Sequence, residues 1–170
     1  MKRRITYITG GERSGKSSFG QKLALQNSEK PVYLATSIAM DSNFAARVKR
    51  HQSDRDSSWE TIEEDILISK YSLKGKTVLL DCVTLWLYNI YYANSKRTEA
   101  SLEIAKKEWS KFIDQDFNLF VISNELGMGV HGITVESRNF VELQGWMNQY
   151  IAAKSDEAWL MVSGIPTKIK

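Results

Sequence analysis

A glycine-rich stretch near the start of the chain has the composition and spacing of a phosphate-binding loop. In "GGERSGKS" (10–17), one glycine is followed by four residues and then by Gly-Lys-Ser, between an apolar run and a segment of helical spacing. The glycines let backbone amides point at phosphate oxygens, and the positive end of the following helix dipole attracts the same anion. The strand and helix contexts disfavour the alternative, a glycine-rich turn with an exposed lysine. We predict nucleotide contacts from Gly10, Gly11, Glu12, Arg13, Ser14, Gly15, Lys16 and Ser17.

A nucleoside triphosphate in such a loop needs a divalent cation. Lys16 would reach the β and γ phosphates, and the Ser17 hydroxyl would bind Mg²⁺. A second acidic ligand to the metal or its water is expected at the end of another buried strand, where "TVLLDCV" supplies Asp81. A charge at the end of an apolar run is costly without a partner. The alternative role of Asp81 is to cap the helix that begins near Leu85.

A histidine is the third group with chemical potential. If the segment from Asp41 is a helix, Phe44, Val48 and His51 fall at i, i+4 and i+7, with Arg47 one turn before His51. On spacing alone, a histidine at the margin of a packed helix face is the favoured interpretation. A neutral imidazole is also a competent nucleophile at phosphorus near neutral pH.

The elements that must position these residues alternate between strands and helices, which predicts an α/β fold with a mainly parallel, buried sheet flanked by helices. No repeat or linker divides the chain, so we predict one P-loop domain over 1–170. Strands are predicted at 4–9, 31–36, 59–64, 76–83, 118–123 and 157–163. Helices are predicted at Lys16 to Gln26, Asp41 to Gln52, Leu85 to Asn94, Glu99 to Asp114 and Val135 to Lys154.

Composition limits the partners and the compartment. Lys and Arg number 23 against 20 Asp and Glu, and the two signs are interspersed, so no polybasic tract exists to follow a nucleic acid. The net charge of +3 suits anionic small molecules. Cys82 is the only cysteine, which excludes an intrachain disulfide, and no apolar run reaches the roughly 18 residues of a membrane span. We expect a cytoplasmic protein without a membrane span.

Several stretches in a fixed order resemble one known family nearly from end to end. They are "TGGERSGKS" (9–17), "YLATS" (33–37), "AARVKRHQSDR" (45–55), "WETIEE" (59–64), "SNELGMGV" (123–130) and "NQYIAAKSDEAWLMVSGIPTKIK" (148–170). The phosphate-loop match alone is generic, but the set resembles the bifunctional adenosylcobinamide kinase / adenosylcobinamide-phosphate guanylyltransferase family of cobalamin biosynthesis. The resemblance implies a RecA-like P-loop NTPase assembled as a homotrimer.

The resemblance also implies two reactions. In one, the terminal phosphate of ATP or GTP passes to the aminopropanol hydroxyl of adenosylcobinamide. In the other, GMP passes from GTP to adenosylcobinamide phosphate through a covalent intermediate, and the family's histidine matches His51. Mg²⁺, Lys16, Arg13 and Arg47 would offset the charge that develops on the phosphates.

Further candidate residues follow predicted strands or match the family. Thr36 and Ser37 end a strand and are candidates for nucleotide contact, with a simple strand-end turn as the alternative. Asn124 and Glu125 follow "LFVIS", where ligands of parallel sheets gather, so Glu125 is a candidate to orient the substrate hydroxyl or a metal-bound water.

The "WETIEE" stretch gives the candidates for the nucleoside. Trp59, Thr61 and Glu63 match family positions where the resemblance implies contacts with guanine or ribose. The alternative is an edge strand with one aromatic side chain packed inward.

The chain departs from the family pattern at two places, and both concern the corrinoid-facing surface. Asp56 stands where the family usually has proline, and the sequence of the 130–140 loop is altered. His131 falls in that loop, and we interpret it as an exposed histidine rather than a second nucleophile. Two rival functions stay open, a P-loop kinase with a single activity and a RecA-like nucleotide-dependent assembly module. An assembly module that binds nucleic acid would need a larger stripe of basic residues than this sequence has.

Overall fold

A seven-stranded sheet lies at the centre of the computed structural model, which describes residues 2–37, 57–129 and 131–170. Its strands are β1 (Arg4–Gly10), β2 (Val32–Ala35), β3 (Glu60–Glu63), β4 (Thr77–Asp81), β5 (Asn118–Asn124), β6 (Glu157–Val162) and β7 (Ile165–Lys168). The helices are α1 (Lys16–Asn27), α2 (Val83–Ala93), α3 (Thr98–Phe112) and α4 (Val135–Lys154), with a short 3₁₀ helix at Ile68–Lys70.

The strand order brings several of the predicted site residues to one end of the sheet. The order is β3-β2-β4-β5-β1-β6-β7, and every neighbouring pair is parallel except β6 and β7. Gly10 at the end of β1 lies opposite Asn124 at the end of β5, and Asp81 at the end of β4 lies opposite Ile122. The carboxyl ends of the three central strands therefore meet, as parallel pairing requires.

Both faces of the sheet are covered, which explains the near-continuous apolar runs of the central strands. Ile5 and Tyr7 of β1 point to the face that α2, α3 and α4 cover, in one cluster with the fully buried Trp86 and Trp109. Ile8 points to the opposite face, in a second cluster with Ala24 of α1. The mainly parallel α/β architecture predicted from the sequence is confirmed.

The element boundaries depart from prediction at the start of α2. The strand predicted over 76–83 ends at Asp81, and α2 begins at Val83 rather than Leu85. Cys82 is the N-cap in an extended conformation, so the chain turns directly from strand into helix. The β-branched Val83 and Thr84 favour a strand by residue type, but the tertiary structure places both in the first helical turn.

One strand was not predicted, and one predicted helix is outside the described residues. β7 pairs antiparallel with β6 across a turn at Ser163 and Gly164, whose φ angles of 50° and 82° are both positive, as a type I′ hairpin requires. Its sequence Ile-Pro-Thr-Lys is exposed throughout, so no burial pattern marks it. The helix predicted over Asp41 to Gln52 falls in the undescribed segment 38–56.

Candidate nucleotide-binding site

The predicted phosphate loop connects the buried strand β1 to the start of α1. Gly15 is the N-cap of α1 and has a φ of 96°, a left-handed conformation that glycine adopts without strain. Arg13 also has a positive φ of 56°, so the loop curls twice between Gly10 and Lys16. The first helical bond joins the Phe19 amide to the Gly15 carbonyl at 3.0 Å. The N-terminus of α1 thus directs its first amides into the loop, where an anion binds favourably.

The β6–β7 hairpin supports this loop from the side. The Gly164 amide donates to the Ser14 carbonyl at 2.9 Å. A Cβ atom added to Gly15 would lie 3.2 Å from the Gly164 Cα. Sequence reasoning missed this contact, although the Ser-Gly pair between two strand-like runs is itself a hairpin signal.

Lys16 is held inside the loop by the backbone. Its Nζ donates to the Gly11 carbonyl at 2.6 Å, and the residue is only 7% exposed. Burial lowers the pKa of the Lys16 ammonium, and the nearby Cys82, Asp81 and Glu12 oppose that effect. The structure therefore brings Lys16 and Asp81 into one electrostatic neighbourhood, and their roles toward phosphate and Mg²⁺ stay predictions.

Asp81 ends β4 beside the phosphate loop. Its carboxylate accepts a 2.6 Å hydrogen bond from the Tyr33 hydroxyl through Oδ2. The alternative role of Asp81 as a helix cap is wrong, because the N-cap of α2 is Cys82. The peptide bond between Asp81 and Cys82 is cis. A carboxylate half-buried at the end of a central strand, next to a buried lysine, is an arrangement that can hold a phosphate-bound cation.

Thr36 and Ser37 follow β2, but the two side chains lie in different environments. Thr36 is fully buried, and its hydroxyl donates to the Cys82 carbonyl at 2.7 Å and accepts from the Cys82 amide at 2.9 Å. The hydroxyl is thus used within the protein, as the strand-end alternative expected. Ser37 is half-buried, and its contact with nucleotide stays a prediction.

The "WETIEE" stretch forms the edge strand β3 and the residue before it. Trp59 is 8% exposed, and its ring packs edge-on against Tyr33 with 5.5 Å between the centroids. Thr61 and Glu63 are exposed on β3. This arrangement matches the alternative of an edge strand with one aromatic packed inward, and the predicted guanine or ribose contacts stay a prediction.

Asn124 and Glu125 are anchored next to the phosphate loop. The Glu125 amide donates to the Gly10 carbonyl at 2.9 Å, so this strand end and the loop are directly bonded. The Asn124 amide donates to the Thr84 hydroxyl at 3.0 Å, and its carbonyl accepts from the Asn148 side chain at 3.0 Å. Asn124 and Glu125 are both half-buried, at the same end of the sheet as the phosphate loop.

Four residues that support the site were not found by sequence reasoning: Tyr33, Thr84, Asn148 and Gly164. Each acts through a partner that is distant in the chain, as when Asn148 of α4 bonds β5 residues 24 and 25 positions away. The available signal was a polar residue at a helical position that faces the core, since Asn148 is 5% exposed and Gln144, one turn earlier, is 1% exposed.

The remaining predicted residues are the two of the "RVKRH" stretch. Arg47 and His51 lie in the undescribed segment 38–56, so their roles stay predictions. His131 is exposed in the loop before α4, as expected. Within the described ranges, no group of three or more histidine, cysteine or acidic side chains is placed to hold a metal on its own.

The residues that are present fit the Mg²⁺ that the resemblance implies. Mg²⁺ is commonly held by one or two protein oxygens together with substrate phosphates, rather than by a cage of protein ligands. The half-buried Ser17 hydroxyl in the first turn of α1 and the Asp81 carboxylate supply oxygens of this kind. Lys16, the residue predicted to contact the phosphates, is buried within the electrostatic reach of Asp81.

The sheet order, the loop between β1 and α1, and the buried Lys16 within the electrostatic reach of Asp81 define a RecA-like P-loop nucleotide-binding protein. A solved structure of the flagellar accessory protein FlaH from Methanocaldococcus jannaschii supports this fold, with a TM-score of 0.50 and 12% identity over 98% of this chain and 78% of that one. The chain belongs to the family described as cobinamide kinase / cobinamide phosphate guanyltransferase, whose model matches residues 6–169.

Curated relatives of similar length support the family assignment. The bifunctional adenosylcobalamin biosynthesis protein CobU of Salmonella typhimurium is 32% identical over 98% of this chain and 99% of its own length. CobU of Escherichia coli K12 is 33% identical over the same shares. CobP of Pseudomonas aeruginosa is 31% identical over 96% of this chain and 95% of its own. The expectation from the sequence resemblance is thereby confirmed at the level of the family and its enzyme class.

Proposed function

We propose that the protein phosphorylates adenosylcobinamide and then converts the product to adenosylcobinamide-GDP. The observation that carries the proposal is the phosphate loop, with buried Lys16 next to Asp81, in a chain that matches the kinase and guanyltransferase family over 6–169. In the kinase step, the aminopropanol hydroxyl attacks the γ phosphorus of ATP or GTP, the bond to the β-phosphate oxygen breaks, and the nucleoside diphosphate leaves. The half-buried Glu125 at the end of β5 is the candidate to orient that hydroxyl.

The second reaction uses His51 as the nucleophile. Its imidazole nitrogen attacks the α phosphorus of GTP, the α–β phosphoanhydride bond breaks, and pyrophosphate leaves. A phosphate oxygen of adenosylcobinamide phosphate then attacks the same phosphorus, the phosphorus–nitrogen bond breaks, and the imidazole is regenerated. A covalent intermediate of this kind divides one difficult displacement into two easier ones. Family membership and the match of Arg47 and His51 to the family pattern support this step.

The phosphate loop serves both reactions in this proposal. Lys16 and the α1 amides would bind and orient the triphosphate, and Arg13 and Arg47 are proposed to offset the charge on the phosphates. Mg²⁺, held by Ser17 and Asp81, would neutralise charge on the phosphate oxygens. Ser37, Trp59 and Glu63 are proposed for the nucleoside. The single cysteine and the absence of a membrane-spanning helix from the described residues fit a proposed cytoplasmic location.

The substitution Lys16→Ala tests whether one loop serves both reactions. We expect phosphorylation of cobinamide, followed with γ-labelled ATP, to fall by about 10²-fold or more, and transfer of α-labelled GMP to fall strongly too, because both need the triphosphate held in place. Lys22→Ala in the same helix, at a residue outside the loop, is the matched control. Near-normal turnover of the Lys16 variant in both assays would overturn the proposal. If the wild-type protein does not phosphorylate cobinamide but still transfers labelled GMP, the kinase step of the proposal is wrong.

A further inference from the structure

The Asp81 carboxylate accepts a hydrogen bond from Tyr33, a residue to which no role has been given so far. The Tyr33 hydroxyl donates to Oδ2 of Asp81 at 2.6 Å, a short distance typical of a hydrogen bond to a charged acceptor. One oxygen of the carboxylate is therefore engaged within the protein in a defined direction. This hydrogen bond leaves the other oxygen, Oδ1, available to a cation.

Tyr33 is itself fixed by its surroundings. It is 3% exposed on β2, and its ring packs edge-on against Trp59 with 5.5 Å between the centroids. In the β2–β4 register, Tyr33 lies opposite Leu79 and Ala35 lies opposite Asp81. The hydroxyl thus reaches along the sheet to the carboxylate two residues further on. A buried ring of this kind has few rotamers open to it, so its hydroxyl keeps one position.

The backbone of Asp81 is held by Thr36, the residue that follows β2. The Thr36 amide donates to the Asp81 carbonyl at 3.2 Å, and the Thr36 hydroxyl bonds both the amide and the carbonyl of Cys82. The Asn89 side chain of α2 donates in turn to the Thr36 carbonyl at 2.9 Å. Three hydrogen bonds with Thr36 thus hold the backbone of Asp81 and Cys82, and a fourth from Asn89 holds Thr36 itself. Tyr33 sets the direction of the Asp81 side chain.

We propose that Tyr33 is a positioning residue for the metal site: its hydroxyl orients Asp81 so that Oδ1 is presented to the cation of the bound nucleotide. This inference rests on the proposed function, because it takes Asp81 as the Mg²⁺ ligand. Hydrogen-bond partners of metal ligands fix the orientation of those ligands, and their loss typically weakens metal binding by about 10–100-fold. In this role Tyr33 acts through Asp81, so its effect is on cation affinity.

The test measures cation affinity directly. Mn²⁺ replaces Mg²⁺ as the probe, and its free concentration is followed by electron paramagnetic resonance. The nucleotide is a GTP analogue whose α–β bridge is a methylene group, and no corrinoid is added. Under these conditions no GMP transfer takes place. For Tyr33→Phe we expect the Mn²⁺ dissociation constant to rise about tenfold. Affinity for the same analogue in the presence of EDTA should match that of the wild type.

A control with the same chemistry exists on the surface. The Tyr92 hydroxyl donates to Oε1 of Glu136 at the same 2.6 Å, in an exposed pair. Tyr92→Phe removes an equivalent tyrosine–carboxylate bond and should leave Mn²⁺ affinity unchanged. Thermal unfolding of each variant, followed by circular dichroism, establishes that the fold is retained.

Asp81→Asn separates this inference from the proposed function. If Asp81→Asn weakens Mn²⁺ binding and Tyr33→Phe does not, the positioning role is overturned while the metal site stands. If neither substitution changes the Mn²⁺ dissociation constant, Asp81 is not a ligand and both statements fail. A parallel rise in the dissociation constant for the two substitutions, larger for Asp81→Asn, is the result that the inference predicts.

Discussion

At the scale of single residues, the site depends on a glycine, Gly10, whose lack of a side chain lets two elements approach each other. A Cβ atom added to Gly10 would lie 2.5 Å from the Met161 backbone oxygen and 2.8 Å from the Ser14 hydroxyl. Real Cβ atoms do not come so close to a backbone oxygen, so β6 and the phosphate loop can approach only because position 10 is glycine. The neighbouring Gly11 has no atom within 4 Å of its Cβ position.

These two glycines give a matched pair of substitutions. Gly10→Ala should lower the free energy of unfolding by about 1–3 kcal/mol, because the added methyl group forces strand β6 away from the loop. Gly11→Ala should leave it within about 0.5 kcal/mol of the wild type. Urea denaturation of both variants measures the difference. Equal stabilities would show that the approach of β6 to the loop is not tight.

The residue types at the site were largely predictable, whereas their partners were not. The spacing of Gly10, Gly15 and Lys16 predicted the loop, and the apolar run before Asp81 predicted a strand-end carboxylate. Tyr33 and Asn148 lie 48 and 24 positions from the residues they hold, and only the strand order brings them together. A local pattern carries no information on such pairs.

At the scale of elements, the turn after β3 is organised by one carboxylate. Glu64 accepts from the Leu67 amide at 2.8 Å and from the Ile66 amide at 3.2 Å, and it pairs with Lys70 of the 3₁₀ helix. Burial raises the pKa of Glu64, but these hydrogen bonds and the lysine outweigh burial and lower the pKa to about 2. The ionised carboxylate therefore stabilises the fold.

This pKa sets a pH window for stability. Because the folded-state pKa lies below the usual value of about 4.3, the contribution is present above pH 5 and is lost as pH falls towards 2. Glu64→Gln should reduce the free energy of unfolding at pH 7 by roughly 1–3 kcal/mol, and the difference from wild type should shrink between pH 5 and pH 2. Chemical denaturation at a series of pH values measures it.

Glu103→Gln is the control for this prediction. Glu103 pairs with Lys106 on the surface of α3, and its side chain is 74% exposed, so its loss should change stability by less than about 1 kcal/mol at any pH. A Glu64→Gln variant whose deficit stays constant down to pH 2 would contradict the role assigned to the charge.

Several elements were predicted closely. The bounds of α4 agree with the prediction, and β1 and β5, which are buried at every position but one end, agree within a residue. The hairpin strand β7 was missed because all four of its residues are exposed and one is a proline. The start of α2 was placed two residues late because Val83 and Thr84 are strand-forming by type.

At the scale of the whole molecule, the alternation of strands and helices predicted the fold class, but not the strand order. That order places β1 between β5 and β6, so the phosphate loop lies near the middle of the sheet, with Asp81 two strands away. Parallel pairing then explains why residues from the ends of β1, β4 and β5 form one site. The pairing partners depend on long-range contacts, which no segment of the sequence reveals alone.

We propose that the chain assembles as a homotrimer, as the family resemblance implies. Several large apolar side chains stay uncovered in the single chain, including Met128 at 75% and Ile133 at 93% exposure, and such surfaces favour contact with another molecule. Light scattering at micromolar concentration should report about three chains per particle. A particle mass of one chain over the same concentration range would contradict the trimer.

The covalent intermediate is the measurement that tests the central claim most directly. The protein is incubated with Mg²⁺ and GTP labelled at the α phosphorus, denatured, and separated by electrophoresis. We predict one labelled band whose label survives alkali, is released by mild acid as a phosphorus–nitrogen bond requires, and is absent from His51→Ala, while His131→Ala keeps it. The His51 variant should retain much of the kinase activity, since γ-phosphoryl transfer needs no protein nucleophile. Label that persists in His51→Ala, or that maps to His131 or a lysine, would contradict the account.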